Sequence, residues 1–346
     1  MQCSSTVDIG VGETQIASML PPLSVLDLSP VGVGVSPSEA IRHSTTLARA
    51  AERLGYARYW FAEHHGMASI AASAPEVLIA HVAAATERIR VGAGGIMIPN
   101  HSPLHVVEVF RTLEALHPGR IDLGLGRAPG TDPVTSSALR RSDDDVNHQL
   151  AELLAFERGG FPERHPYRAI TPMPSDVRIG EMWMLGSTLE GASIAAHVGV
   201  RYAFAGHFAM RQAADAIAHY RRQFRPSVDL AAPHAMLAVT CVCGEDEDDA
   251  HRQAAPLRLA IVRNRTGKRA PIATIEEALA YEFSPEEQAI ADDFLLGAVI
   301  GGPADVASHL RDLARDLGAD ELMLSTLVPS VEVRVASLER VAMAMG

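Results

Sequence analysis

Eight short apolar runs, separated by stretches of helical period, constrain this chain more than any other feature. The runs fall at 23–28, 59–62, 89–94, 121–126, 183–185, 202–205, 236–241 and 321–324. Strands joined through helices pair in parallel, because a parallel connection needs a long crossover whereas a hairpin does not. The intervening segments carry helix punctuation. Ser38 stands as a cap ahead of 40–54 with Gly55 as the stop, Pro75 opens 77–85, 104–116 ends at Pro118-Gly119, and 305–317 ends at Gly318. Eight such units predict a closed TIM (β/α)8 barrel in preference to an open sheet. We expect one barrel domain over 21–346, preceded by a flexible, weakly patterned arm over 1–20.

Two intervals are too long for simple connections: 127–181 after the fourth strand and 262–300 after the seventh helix. The first holds a helical segment over 145–157 and a proline-rich stretch over 161–174, and the second holds the basic run from Arg263 to Arg269. Excursions of this length act as lids or binding loops, or are plain solvated loops, and the sequence leaves both open.

The net charge of -12 opposes a nucleic-acid or anionic-membrane partner, either of which needs a basic face. The first basic residue is Arg42, so the amino terminus lacks the positive segment of a secretory signal. No uncharged apolar run approaches the ~18 residues that span a bilayer. The three cysteines form an odd set, and Cys241 and Cys243 share a strand face with no third ligand nearby. These features predict a soluble, reduced, cytoplasmic protein without a disulfide framework or a zinc site.

Chemistry concentrates at strand ends, where barrels of this type build their active sites. Tyr59-Trp60-Phe61-Ala62-Glu63-His64-His65 delivers histidine to the end of the second strand. A metal centre is disfavoured because neighbouring strand residues face opposite ways and no helical His-Glu-x-x-His is present. A histidine there can titrate near neutrality, or it can be a structural residue bonded beneath a loop. Gly92, Gly94 and Gly95 interrupt the third strand. Their bare backbone suits a flat ligand, a conformation closed to other residues such as a cis peptide, or a simple bend of the barrel.

Asp122-Leu123-Gly124-Leu125-Gly126-Arg127 is followed by Ala128-Pro129-Gly130 rather than by a helix start, so it is not a dinucleotide fingerprint. Arg127 reads instead as a bidentate partner for phosphate or carboxylate, or as one half of a surface ion pair. Gly186, Ser187 and Thr188 precede a helix, whose N-terminal N–H groups and hydroxyls can hold a phosphate, although Ser and Thr there are also ordinary caps.

Taken in order, these segments resemble the bacterial luciferase-like flavin-dependent monooxygenases, in their single-chain group-one branch. The likeness runs from Pro22 to Ala344 and is carried by 22–28, 59–65, 92–103, 118–127, Leu185-Gly186-Ser187, 202–208 and 319–323. It implies a TIM barrel that binds FMN at its C-terminal mouth, often as a homodimer. His64 matches a histidine beside the flavin, Gly94-Gly95 a cis peptide beneath the ring, and Arg127 and Ser187 groups that contact the phosphate. His207 is a second catalytic candidate, and 262–300 corresponds to a mobile active-site loop. A second phosphate arginine has only approximate counterparts in Arg140 and Arg141, and Gly126 stands where luciferase has a reactive cysteine.

The implied reaction uses O2 and reduced FMN (FMNH2) from a separate NAD(P)H:flavin reductase. A C4a-(hydro)peroxyflavin then oxygenates a small organic substrate, with hydroxylation or epoxidation in natural-product tailoring among the outcomes. The alternatives are a flavin or deazaflavin hydride-transfer oxidoreductase and a non-catalytic flavin-binding protein; retention of His64 and of the long 262–300 interval disfavours the latter.

Overall fold

The computed structural model describes residues 21–128, 130–139 and 145–346. The arm expected over 1–20 and the pair Arg140-Arg141 lie outside the described residues. Among the described residues, the strands are β1 (Leu23–Asp27), β2 (Arg58–Phe61), β3 (Arg90–Met97), β4 (Ile121–Gly126), β5 (Glu181–Gly186), β6 (Arg201–Phe204), β7 (Ala235–Cys243), β8 (Val299–Gly301) and β9 (Glu321–Ser325).

Strands β1 to β7 pair consecutively and in parallel, and β9 pairs with both β7 and β1. The ring is therefore closed by eight strands, the expected TIM barrel. β8 was not anticipated. It lies outside the ring, bonded to the far end of β7 in the register Cys241↔Val299, and three residues are too few to show a strand period.

Helix ends follow local chemistry. Helix Pro37–Arg53 is capped by Ser36 rather than by Ser38, because Glu39 closes a reciprocal capping box with Ser36. Gly318 ends helix Pro303–Leu317 in the left-handed conformation, at φ +65°. No described helix is long and apolar enough to cross a membrane.

The barrel is plugged from below. At the N-terminal strand ends, Arg58 bonds Glu321 at 3.0 Å, Asp122 at 2.9 Å and Glu181 at 2.7 Å, and Arg90 takes the other Asp122 oxygen. Above this layer, Trp60 and Trp183 meet edge to face at 5.2 Å, packed among Leu26, Met236 and Met323. The Trp60 indole N–H donates to Asp122 at 2.9 Å, joining the apolar layer to the ionic one. With the lower two layers filled, the barrel opens toward the C-terminal ends of its strands.

Over their described residues, both long intervals contain helices. The first contains helices Pro133–Ala138 and Val146–Arg158, the second moored by a buried Arg111–Glu157 pair at 2.8 Å. The second begins later than expected, because helix Glu247–Arg265 runs past residue 262. It then forms helices Ile275–Leu279 and Pro285–Phe294 before entering β8. Ile272 stitches this interval to the loop after β1, exchanging backbone bonds of 2.9 Å with Val31 and Val33.

Candidate active site

A cavity of about 410 Å3 opens at the C-terminal mouth of the barrel. Strand and loop ends aim His64, Gly94, Arg127, Gly186, Ser187, Thr188 and His207 into it. Seven of the eight residues singled out from the sequence thus share one space.

Gly95 does not line the cavity. A Cβ there would stand 2.7 Å from the Gly124 carbonyl oxygen, so its bareness serves the close approach of β3 to β4. Gly94 faces inward, where a Cβ would come within 2.9 Å of Leu26 and 3.0 Å of Trp60. The Gly94–Gly95 peptide is cis, and the β3–β4 register shifts between Ala93 and Ile96 at the same place.

The three polar residues after β2 divide their work. Glu63 is fully buried and accepts from the Met97 N–H at 2.8 Å, Asn100 at 3.0 Å, His65 at 2.9 Å and His101 at 3.0 Å. It ties the loop after β2 to the loop after β3. Burial alone would raise its pKa, but the bonds from His101, Met97 and His65 outweigh burial and hold it below the ordinary carboxylate range. His101 is in turn raised, as its bond to Glu63 outweighs burial. No three His, Cys, Asp or Glu converge in a metal-ligating arrangement among the described residues.

His64 goes the other way, into the cavity. β2 ends at Phe61, so strand alternation no longer applies there, yet His64 alone of the His64-His65 pair reaches this space. Its Nδ1 is buried without a hydrogen-bond partner. Burial pushes its pKa down to about 4, with His65 adding and Glu63 opposing. His207 is likewise lowered to about 4, by burial first and by nearby His64 second, against an opposing bond to the Ala238 backbone. Two neutral imidazoles therefore face one cavity at pH 7.

The β4–β5 side is the anion end. Thr188 is the cap of helix Leu189–Val198, accepting from the Gly191 N–H at 3.4 Å, so the ordinary capping role holds for this hydroxyl. Ser187 is half-buried and makes no hydrogen bond to another described residue. Arg127 reaches the first turn of the same helix and pairs with exposed Glu190 at 3.0 Å. A hydroxyl, a guanidinium and a helix N-terminus converge here, a chemistry suited to phosphate.

Apolar side chains that the sequence did not single out complete the walls. Met67 and Ile70 come from the loop after β2, Leu257 and Ile261 from helix Glu247–Arg265, and Ile272 and Phe294 from the long second interval. Phe294 and Ile272 answer the question left open by the sequence, because that interval covers the cavity. Only the position of the interval after the seventh helix signalled them, since apolar wall residues look like core residues in a sequence.

The family described as luciferase-like monooxygenase matches residues 22–321. The Bacillus subtilis (strain 168) protein YvbT is 42% identical, over 92% of this chain and 95% of its own. An Escherichia coli (strain K12) luciferase-like monooxygenase is 39% identical, over 91% of this chain and 94% of its own. The crystal structure of apo-MsnO8 superimposes with a TM-score of 0.87 at 36% identity, covering 94% of this chain and 98% of that one. The fold is shared more distantly by two further structures. One is the FMN complex of the oxygenating constituent of 3,6-diketocamphane monooxygenase from Pseudomonas putida (TM-score 0.68, 16% identity, 93% of this chain and 96% of that one). The other is an F420-dependent secondary alcohol dehydrogenase (TM-score 0.66, 15% identity, 95% and 100%).

Proposed function

The chain belongs to the luciferase-like monooxygenase family, and from that premise we propose that it is an FMN-dependent monooxygenase acting on a small organic substrate. The observation that carries the reading is the meeting, in one barrel-mouth cavity, of a phosphate-suited end, a bare glycine wall and two neutral histidines.

The residues present fit FMN. Ser187, Arg127 and the N–H groups opening helix Leu189–Val198 would hold the phosphate, and Gly94 lines the cavity where a flat ring would lie against β3. The partnerless Nδ1 of His64 is available to a polar atom of the ring or of the substrate. Reduced FMN, when bound, supplies the electrons that activate dioxygen. The chain's own task is to position the ring and substrate, to exclude water with Leu257, Ile261, Ile272 and Phe294, and to hold a proton at His64 or His207. Substrate enters beside a mostly apolar wall, which favours a molecule with a hydrocarbon body. With this reading go a separate reductase that supplies FMNH2, a homodimeric assembly and a cytoplasmic location.

The test is binding followed by oxygen. Anaerobic titration should give tighter binding of reduced FMN than of reduced riboflavin, and Arg127→Met should erase most of that difference. Rapid mixing with dioxygen should then show delayed reoxidation of the bound flavin. Equal affinity for the two flavins, or reoxidation at the rate of free FMNH2, would remove the proposal. A parallel titration with F420 separates the hydride-transfer alternative, for which a structural neighbour with an F420 cofactor is the precedent.

A further inference from the structure

We infer that Arg265 is a specificity-determining residue that selects substrates bearing a carboxylate on an apolar body. The inference rests on the flavin reading above for the identity of the reaction, but its observations are separate.

The protein carries a net charge of -12, yet among the described residues no Asp or Glu lines the cavity. The two arginines that do are Arg127 and Arg265. Arg127 belongs to the phosphate end and has Glu190 as a partner. Arg265, in the last turn of helix Glu247–Arg265, has no ion pair among the described residues. Its neighbours differ sharply in this respect. Arg258 pairs with Asp292, Arg263 with Glu277 at 2.6 Å, and Arg269 with Asp132 at 2.8 Å.

The Arg265 guanidinium instead lies over the Phe294 ring, 5.5 Å from its centroid, and Phe294 also lines the cavity. Stacking on an aromatic face orients the planar fork while leaving its N–H edge free, the arrangement that suits bidentate capture of a carboxylate. Asn264 beside it adds a neutral amide to the same wall. Ile261 and Leu257, one and two turns back on the same helix, face the cavity and would accept the hydrocarbon portion of the ligand. Arg265 is exposed where it lines the cavity, so it discriminates by attracting a carboxylate, while a neutral analogue leaves it to water.

Decanoate and decanamide, alike in chain length and unlike in charge, are suitable probes. Calorimetric titration of the FMN-loaded protein should show decanoate bound about three-fold more tightly than decanamide. Arg265→Gln should abolish that preference with FMN affinity intact, and Arg265→Lys should restore part of it. Equal binding of the two probes by the wild type, or a preference that survives Arg265→Gln, would overturn the inference. So would a loss in Arg265→Gln that falls on FMN and spares riboflavin, because the guanidinium would then serve the cofactor phosphate. The same titrations on FMN-free protein keep the carboxylate preference measurable if FMN binding itself fails, so the two readings fall separately.

Discussion

At the scale of single residues, burial has tuned both cavity histidines to the neutral form. A neutral imidazole can accept a proton or donate one from its N–H, which the charged form cannot do in both directions. Replacing His64 with Asn should lower turnover by about a hundred-fold, the lower range for a lost acid-base group, while flavin binding changes little. Unchanged steady-state kinetics in His64→Asn would rule the role out. The same depression has a stability consequence of definite sign. With a folded pKa about 4 against an ordinary 6.5, the folded protein binds fewer protons than the unfolded chain between these values. Stability should therefore fall as pH drops from 6.5 through 4, and His64→Asn combined with His207→Asn should flatten that fall in a thermal-melt series. His64 was legible from its strand-end position; its lack of a partner at Nδ1 was not, because burial of one ring atom depends on what the rest of the fold packs around it.

At the scale of elements, the loops after β2 and β3 act as one unit through Glu63. Its carboxylate collects four donors from both loops, so the Glu63→Ala variant should lose about 3 to 5 kcal/mol in urea unfolding. The Glu63–His101 pair also has a pH window. The lowered Glu63 contributes fully above its ordinary 4.5 and loses that contribution as pH falls through its folded value. The raised His101 contributes fully below its ordinary 6.5 and loses it as pH rises through its folded value. The clamp is thus strongest between about 4.5 and 6.5, and the pH dependence of proteolytic nicking in these loops should show a minimum there that Glu63→Ala abolishes. In the sequence, Glu63-His64-His65 is one motif. The structure splits it into a clamp and a cavity residue, because the strand ends two residues before Glu63 and the loop turns freely. The helix stop at Gly318 was readable since caps are local chemistry, and the start at Ser36 was missed by only two residues, whereas β8 and the cavity roof depend on contacts far along the chain.

At the scale of the whole molecule, stability and chemistry occupy opposite ends of the barrel. Parallel closure brings every strand start to one face and every strand end to the other, and a fixed strand length then keeps the two faces apart. The count of eight units carried that architecture directly, which is why the fold was legible before any side chain was placed. The ionic layer was not, because Arg58, Asp122, Glu181 and Glu321 come from four strands spread over most of the chain. Arg58 also lies over the Trp183 ring at 4.8 Å, so it links the carboxylates to the aromatic layer above. Removing it leaves Asp122 and Glu321 buried with reduced compensation and Glu181 half-buried beside them. Arg58→Ala should therefore destabilise the protein by about 3 to 5 kcal/mol in denaturant titration. Arg58→Met, which refills the stem volume but not the charge, should recover little of that loss, since the uncompensated carboxylates dominate it. Neither variant touches the cavity, so the flavin dissociation constant of the folded fraction should stay within about two-fold of wild type. A parallel loss of flavin affinity would show that the ionic layer sets the shape of the mouth as well as sealing the base.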